Sequence, residues 1–163
     1  MEPAQLIAKY RRLGVLLDTN LMVLLAIGYY DRKRISSFKR TLQYTDQDFS
    51  LLAGIVGQFD RAVTTPHILA EADNLTRQLP EREHRAIAAI TARLVEGLFE
   101  VYVPSKMAAR HERYPILGLT DCATIEAAEQ ALVLTDDFPL ANILAHLGRG
   151  VINLNHLRPL AWS

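Results

Sequence analysis

Apolar positions along the chain follow two rhythms. Short unbroken apolar runs occur at 14–18 (GVLLD), 61–66 (RAVTTP, closed by proline), 99–104 (FEVYVP), 132–135 (LVLT) and 151–154 (VINL), and each predicts a buried strand. Between them lie longer stretches with apolar residues at helical spacing. These cover residues 3–12, the run after Thr19 and Asn20, the segment from about Asp46 or Asp48 through FSLLAGIVGQF, HILAEADNLTRQL, and Glu81 to Gly97. Two more helices are expected late in the chain, DCATIEAAEQA with Thr120 as its cap and a segment from about Asp137 to Leu147. The residues carrying Lys106, Arg110 and Arg113 read as a loop.

Five strands alternating with helices imply right-handed crossovers and a parallel sheet covered on both faces, a doubly wound three-layer α/β/α fold. No repeat, linker or low-complexity stretch breaks the pattern. With 163 residues, half of them hydrophobic, one domain over 1–163 can bury a core without disulfides or a structural metal.

Composition narrows the chemistry. The single cysteine, Cys122, excludes an intramolecular disulfide, and five scattered histidines give no zinc spacing, which fits a reducing, cytoplasmic setting. The N-terminus lacks the apolar stretch of a signal peptide, and the longest apolar run, Leu21 to Ile27, is far too short for a membrane span. Lys plus Arg equal Asp plus Glu at 18 each, so attraction to phosphate has to come from local patches. The most basic is DRKRISSFKR at 31–40, five cations against one acid.

In an open parallel sheet the ligand site lies beyond the carboxyl ends of the strands. Asp18 and Asp137 stand at two such ends, Glu71 follows Pro66 by five residues on the next helix, and Asp121 opens the helix before the fourth strand. Each also has an ordinary structural reading: Asp18 and Asp137 as helix caps, Asp121 as a dipole partner, Glu71 as a solvated helical residue.

The stretches VLLDTNLMVLL (15–25), VTTPHILAEADNL (63–75), LGLTDCATIEAA (117–128) and VLTDDFPLANIL (133–144) together resemble nucleases of the PIN-domain family, most closely the toxin-type (VapC-like) ribonucleases. The resemblance implies the three-layer fold and a carboxylate cluster of Asp18, Glu71, Asp121 and Asp137, with Asn20 and Thr135 as accompanying polar positions. Asp137 is taken as the fourth acid from the pattern Thr135, Asp137, Leu140, and the adjacent Asp136 as an assistant or bystander. The same resemblance implies RNA as substrate, homodimers, and a protein antitoxin as partner.

Four anions in one pocket repel each other unless a cation neutralises them. Oxygen donors without clustered His or Cys favour Mg²⁺ or Mn²⁺. Asp18, Asp121 and Asp137 are the expected metal ligands, and Glu71 a ligand through water or the base that orients it. Arg32, Lys33, Arg34, Lys39 and Arg40, with Lys106, Arg110 and Arg113, are expected to contact the substrate backbone or to form solvated surface. Tyr29, Tyr30, Phe38 and Tyr44 are candidate base-stacking or packing groups. Cys122 has no paired His and is read as a small buried residue. Two other functions are carried forward: a catalytically inactive PIN-like protein-binding module, and an Mg²⁺-dependent aspartyl-phosphate phosphohydrolase. The second needs an acid where Asn20 stands, and its only candidate lysine is Lys106.

Overall fold

The first strand is short because its sequence allows no more. Gly14, with φ of 111°, turns the chain into Val15, Leu16 and Leu17, all buried, and Asp18 then leaves the strand to cap a helix. In the computed structural model, which describes residues 1–161, this strand is β1 (Val15–Leu17); residues 162–163 at the end of the span read as one domain lie outside the described residues. It follows α1 (Pro3–Tyr10) and leads into α2 (Thr19–Tyr30), a 3-10 turn at Arg32–Arg34 and α3 (Asp46–Val56). Next come β2 (Ala62–Thr64), α4 (Pro66–Thr76), α5 (Glu81–Glu96), β3 (Phe99–Glu100) and α6 (Ser105–Ala108). The chain closes with α7 (Tyr114–Ala127), β4 (Leu132–Thr135), α8 (Phe138–His146), β5 (Val151–Asn153) and α9 (Leu154–Ala161).

The five strands form one parallel sheet in the order β3-β2-β1-β4-β5, flanked by helices as a three-layer α/β/α fold. The chain steps from β1 to β2 and β3 on one side, then returns to place β4 and β5 on the other. The order therefore reverses beside β1, with Leu17 paired to Leu134. That reversal opens a crevice at the carboxyl ends of β1 and β4, the place where such sheets bind ligands.

Helix α2 is apolar on all sides and is buried from Leu21 to Gly28. It is a core helix packed against α3, α4 and α5, not an amphipathic cover. Its contact with α3 depends on Gly28, where an added Cβ would stand 2.1 Å from the Phe49 ring. No helix among the described residues is long and apolar enough to cross a membrane.

Four expectations are corrected. The third strand ends at Glu100, not at 104. It is an edge strand, Tyr102 is 76% exposed, and after Val101 N–H bonds Thr64 C=O at 2.8 Å the chain turns away into α6. The segment of Lys106, Arg110 and Arg113 therefore contains a helical turn and is not all loop. Thr120 is not a helix cap: α7 begins at Tyr114 with Pro115 in its first turn and bends at Gly118, where φ is 81° and ψ 178°. Finally, the strand expected over 151–154 ends at Asn153, and Leu154 begins α9, which the apolar pattern did not announce.

Gly28→Ala tests the α2–α3 contact. Alanine is favoured over glycine in a helix by about 1 kcal/mol, but overpacking against a buried ring costs about 1–3 kcal/mol. Urea denaturation should show a net loss of stability; a gain would mean that Phe49 yields freely.

Candidate functional site

Four acids distant in sequence meet at the crevice. Asp18, Glu71, Asp121 and Asp137 line a cleft of about 180 Å³ together with Thr19, Asn20 and Leu140. Asp18 comes from the end of β1 and Asp137 from the turn after β4. Glu71 comes from α4, started by Pro66 and the Thr65 hydroxyl, which accepts from Ile68 N–H at 3.3 Å. Asp121 lies on the arm of α7 beyond Gly118, so that bend sets which residues of the helix reach the crevice.

The caps foreseen for Asp18 and Asp137 are real and coexist with their places in the cleft. Asp18 Oδ1 accepts from Leu21 N–H at 2.9 Å, while its Oδ2 accepts from the Thr135 hydroxyl and from Asp136 N–H at 3.2 Å. Thr135 in turn accepts from Asp137 N–H at 3.0 Å, and Asp137 Oδ1 accepts from Leu140 N–H at 2.8 Å. One hydroxyl thus ties the two strand ends together. Glu71 is exposed and accepts from the Thr19 hydroxyl at 3.4 Å.

Asp136 has a different place. Its carboxylate accepts from Asn20 Nδ2 at 3.4 Å and from the Tyr44 hydroxyl, and it does not line the cleft. Asn20 therefore supports the Asp136 turn while lining the cleft. Among the two adjacent acids, Asp137 is the one grouped with Asp18, Glu71 and Asp121.

Charge is concentrated here without compensation. Burial, and then the charge of Asp136, push the Asp18 carboxyl up to about 7 against the lowering effect of its hydrogen bonds. Burial, then the charges of Asp137 and Glu71, push Asp121 up to about 6. Burial and the neighbouring Asp136 likewise hold the Tyr44 phenol well above its ordinary value, so it stays a neutral donor.

The donor set is all oxygen, which suits a hard divalent cation. The acids do not converge on one point: among the described residues no three His, Cys, Asp or Glu side chains stand close enough together to ligate a single ion. Mg²⁺ commonly keeps several waters and takes one or two carboxylates directly, so a spread acidic cleft fits its habits better than a closed cage would. Asp18 has used three of about four acceptor positions and retains one.

A buried support behind Asp136 was not foreseen. Arg158 on α9 donates from Nε and Nη2 to the two oxygens of Asp48, both at 2.7 Å, and from Nη2 to Gln43 C=O at 2.7 Å. Its Nη1 donates to Asn155 Oδ1 at 2.9 Å, and Asn155 Nδ2 donates to Asp136 C=O at 2.8 Å. The guanidinium also faces the Tyr44 ring, 5.4 Å from its centroid. Asp48 is fully buried; burial pushes its carboxyl up, but the hydrogen bonds from Arg158 and Thr45 and the guanidinium charge hold it below the usual range. Asp48 was legible only as a helix-start residue, and no local signal pairs it with an arginine 110 positions away.

The basic window stays outside the cleft. Arg34 is half-buried and pairs with Glu83 at 2.7 Å, Arg32 pairs with Asp46 at 3.1 Å and covers the Phe49 ring, and Arg40 donates to Gln78 at 2.9 Å. Lys33 and Lys39 are exposed. Three of the five expected backbone contacts are thus engaged within the fold. Phe38 and Tyr44, 4% and 2% exposed, belong to the core and cannot stack on bases. Tyr29 is exposed with its ring edge-on to Phe49. Cys122 is buried, as read.

No protein-family model, curated protein or solved structure matches the chain.

Two measurements follow. Unfolded aspartates titrate near ~3.9, so between about pH 4 and 7 the folded chain holds more protons at Asp18 and Asp121 than the unfolded chain does. Raised carboxyl values therefore make the metal-free protein less stable as pH rises through that window. In chelator, the melting temperature should fall from pH 5 to 8, and Asp18→Asn should flatten the fall; equal slopes would place the charge burden elsewhere. Arg158→Ala should cost about 3–5 kcal/mol in denaturant unfolding because Asp48 is left buried and unpaired. Adding Asp48→Asn should recover part of that loss, and no recovery would show that the arginine acts through packing alone.

Proposed function

We propose that this chain is a divalent-metal-dependent ribonuclease of the PIN-domain type, hydrolysing phosphodiester bonds in RNA. The observation that carries the reading is the gathering of Asp18, Glu71, Asp121 and Asp137 in one cleft at the switch point of the sheet, with Asp18 and Asp121 strained toward protonation by their surroundings. A fold built only for stability gains nothing from such crowding.

The residues divide the work by what holds them. Asp18, fixed by three hydrogen bonds, is the rigid reference point of the site and the first ligand for Mg²⁺ or Mn²⁺. Asp137 and Asp121 supply further oxygens from the turn after β4 and from α7. Glu71, exposed and held by one long hydrogen bond, can turn to orient a water for attack on phosphorus or to take its proton. A bound ion would lower the pKa of that water and offset charge on the phosphate and the departing oxygen. Thr135 and the Asp136 N–H keep the Asp18 carboxylate oriented, a supporting role in line with their distance from the solvent side of the cleft.

The phosphohydrolase alternative is less well served. It needs a second acid where Asn20 stands and a lysine at the site, and no lysine lines the cleft. The toxin-type resemblance adds a cytoplasmic setting, a homodimer and an inhibitory protein partner to the proposal.

The test is cleavage of mixed single-stranded RNA by wild type and Asp18→Asn, with Mg²⁺ or Mn²⁺ and again in excess chelator. Cutting should fall by about 10²-fold or more in the folded variant and stop in chelator, as expected for a group acting at the reacting atoms. Cutting that persists in both would sink the reading; no cutting by wild type on any RNA would favour a protein-binding module.

A further inference from the structure

A second depression, of about 320 Å³, lies between the segment leading into α7 and the outer part of α8. Its walls are continuous in sequence with those of the acidic cleft. Helix α7 gives Asp121 to the cleft, and the turn before it gives His111 and Arg113 to the trough; Asp137, the cap of α8, and Leu140 line the cleft, while Asn142, Ile143 and His146 further along α8 line the trough. Cleft and trough thus draw on successive stretches of the same two segments, and α7 and α8 pack together. From Asp137 to His146 is about 13 Å of helix at 1.5 Å per residue, the length of a few stacked nucleotides at about 3.4 Å each.

The lining has the functional groups that a nucleotide presents in reverse. Ile143 and Leu147 offer apolar surface, and the exposed Asn142 amide carries a donor and an acceptor suited to a base edge. The two imidazoles are oriented by backbone bonds. His111 Nδ1 accepts from Arg113 N–H at 3.1 Å, which leaves its Nε2 as the donor of the neutral ring. His146 Nδ1 donates to Asn142 C=O at 2.8 Å, which leaves its Nε2 as an acceptor. A donor and an acceptor on facing walls match the 2′-hydroxyl of ribose, which is both. Arg113 supplies a cation, partly held by Glu112 at 3.6 Å.

We propose that this trough binds the single-stranded RNA nucleotides next to the scissile phosphate, with Asn142 on a base edge, His111 and His146 on ribose, and Arg113 on a backbone phosphate. The proposal rests on the ribonuclease reading for its substrate but can fail separately from it. Asn142 and His146 are exposed and away from the acids, so their replacement leaves the fold and the acidic cleft intact.

The experiment measures binding of a fluorescently labelled eight-nucleotide RNA of mixed sequence in EDTA by anisotropy, alongside cleavage with Mg²⁺. Asn142→Ala combined with His146→Ala should weaken binding by about tenfold and raise KM with kcat held, on the scale of one lost base contact. Glu112→Gln should release Arg113 and tighten binding a few-fold, and DNA of the same sequence should bind more weakly than RNA. Unchanged affinity in the double variant, or an RNA that wild type does not bind, overturns the trough. Binding with the expected variant pattern but without any cleavage leaves the trough standing and sinks the nuclease reading. Cleavage with unchanged KM in the double variant does the reverse.

Discussion

The arrangement turns on a single carboxylate that the fold places where a charge is least comfortable. Asp18 ends the central strand, is only 6% exposed, and keeps its position because three donors, two from the end of β4 and one from the start of α2, converge on it. Those bonds do two things at once. They start α2, the most deeply buried helix, and they join the end of β1 to the turn after β4 through Thr135 and Asp136. Were Asp18 lost to an apolar residue, the Leu21 and Asp136 N–H groups would lose their buried partner, and the two halves of the sheet would lose a bond across their seam.

From that bond outward the support is layered. Asp136 turns its N–H to Asp18 because its carbonyl and carboxylate are occupied on the other side, by Asn155, Asn20 and Tyr44. Tyr44 and Asn155 are in turn framed by Arg158, which is anchored on the buried Asp48. A residue of the last helix and a residue near the middle of the first half of the chain thereby hold the turn that holds the central acid. Such a network fixes a geometry more than it raises stability, since each buried ion pair must first overcome its own desolvation. That is consistent with a site in which orientation matters.

What the amino-acid pattern disclosed and what it hid divide along the range of the interactions. Strands with continuous apolar runs and helices with caps are local, and β1, β2, β4, β5 and the helices α1, α2, α5 and α8 stand within a residue or two of where the pattern placed them. Topology converts strand ends into one edge, so knowledge of the sheet suffices to bring residues 18 and 137 together, with Glu71 one turn along the helix after β2; Asp121, and the choice of Asp137 over Asp136, leaned on the resemblance. The errors arose where local preference yields to context. FEVYVP has strand composition, but an edge strand with a single neighbour stops when that neighbour turns away. Thr120 has cap chemistry, yet Pro115 starts the helix earlier and Gly118 bends it. The basic window has the composition of a phosphate patch, while Glu83 and Asp46, contributed from elsewhere, pair two of its arginines. Phe38 and Tyr44 show the same limit, since nothing near them in sequence says that their rings are covered.

The energetic standing of the acids bears on how such a cleft is kept. With Asp18 and Asp121 pushed up to about 7 and about 6, the crowded carboxyls by themselves work against folding at neutral pH, and the apolar core around α2 and the central strands must outweigh them. A cation that binds the folded chain and not the unfolded one reverses the sign, because each increment of binding free energy is also an increment of stability. The same repulsion that weakens the metal-free protein would therefore add to the affinity for a cation: the two are one coupling viewed from either end. Exposed Glu71 is held by one long hydrogen bond and adds its charge to the crowding at Asp121, whereas Asp18 is the more deeply buried and the more rigidly held. Rigidity and electrostatic tension coincide at the same residue.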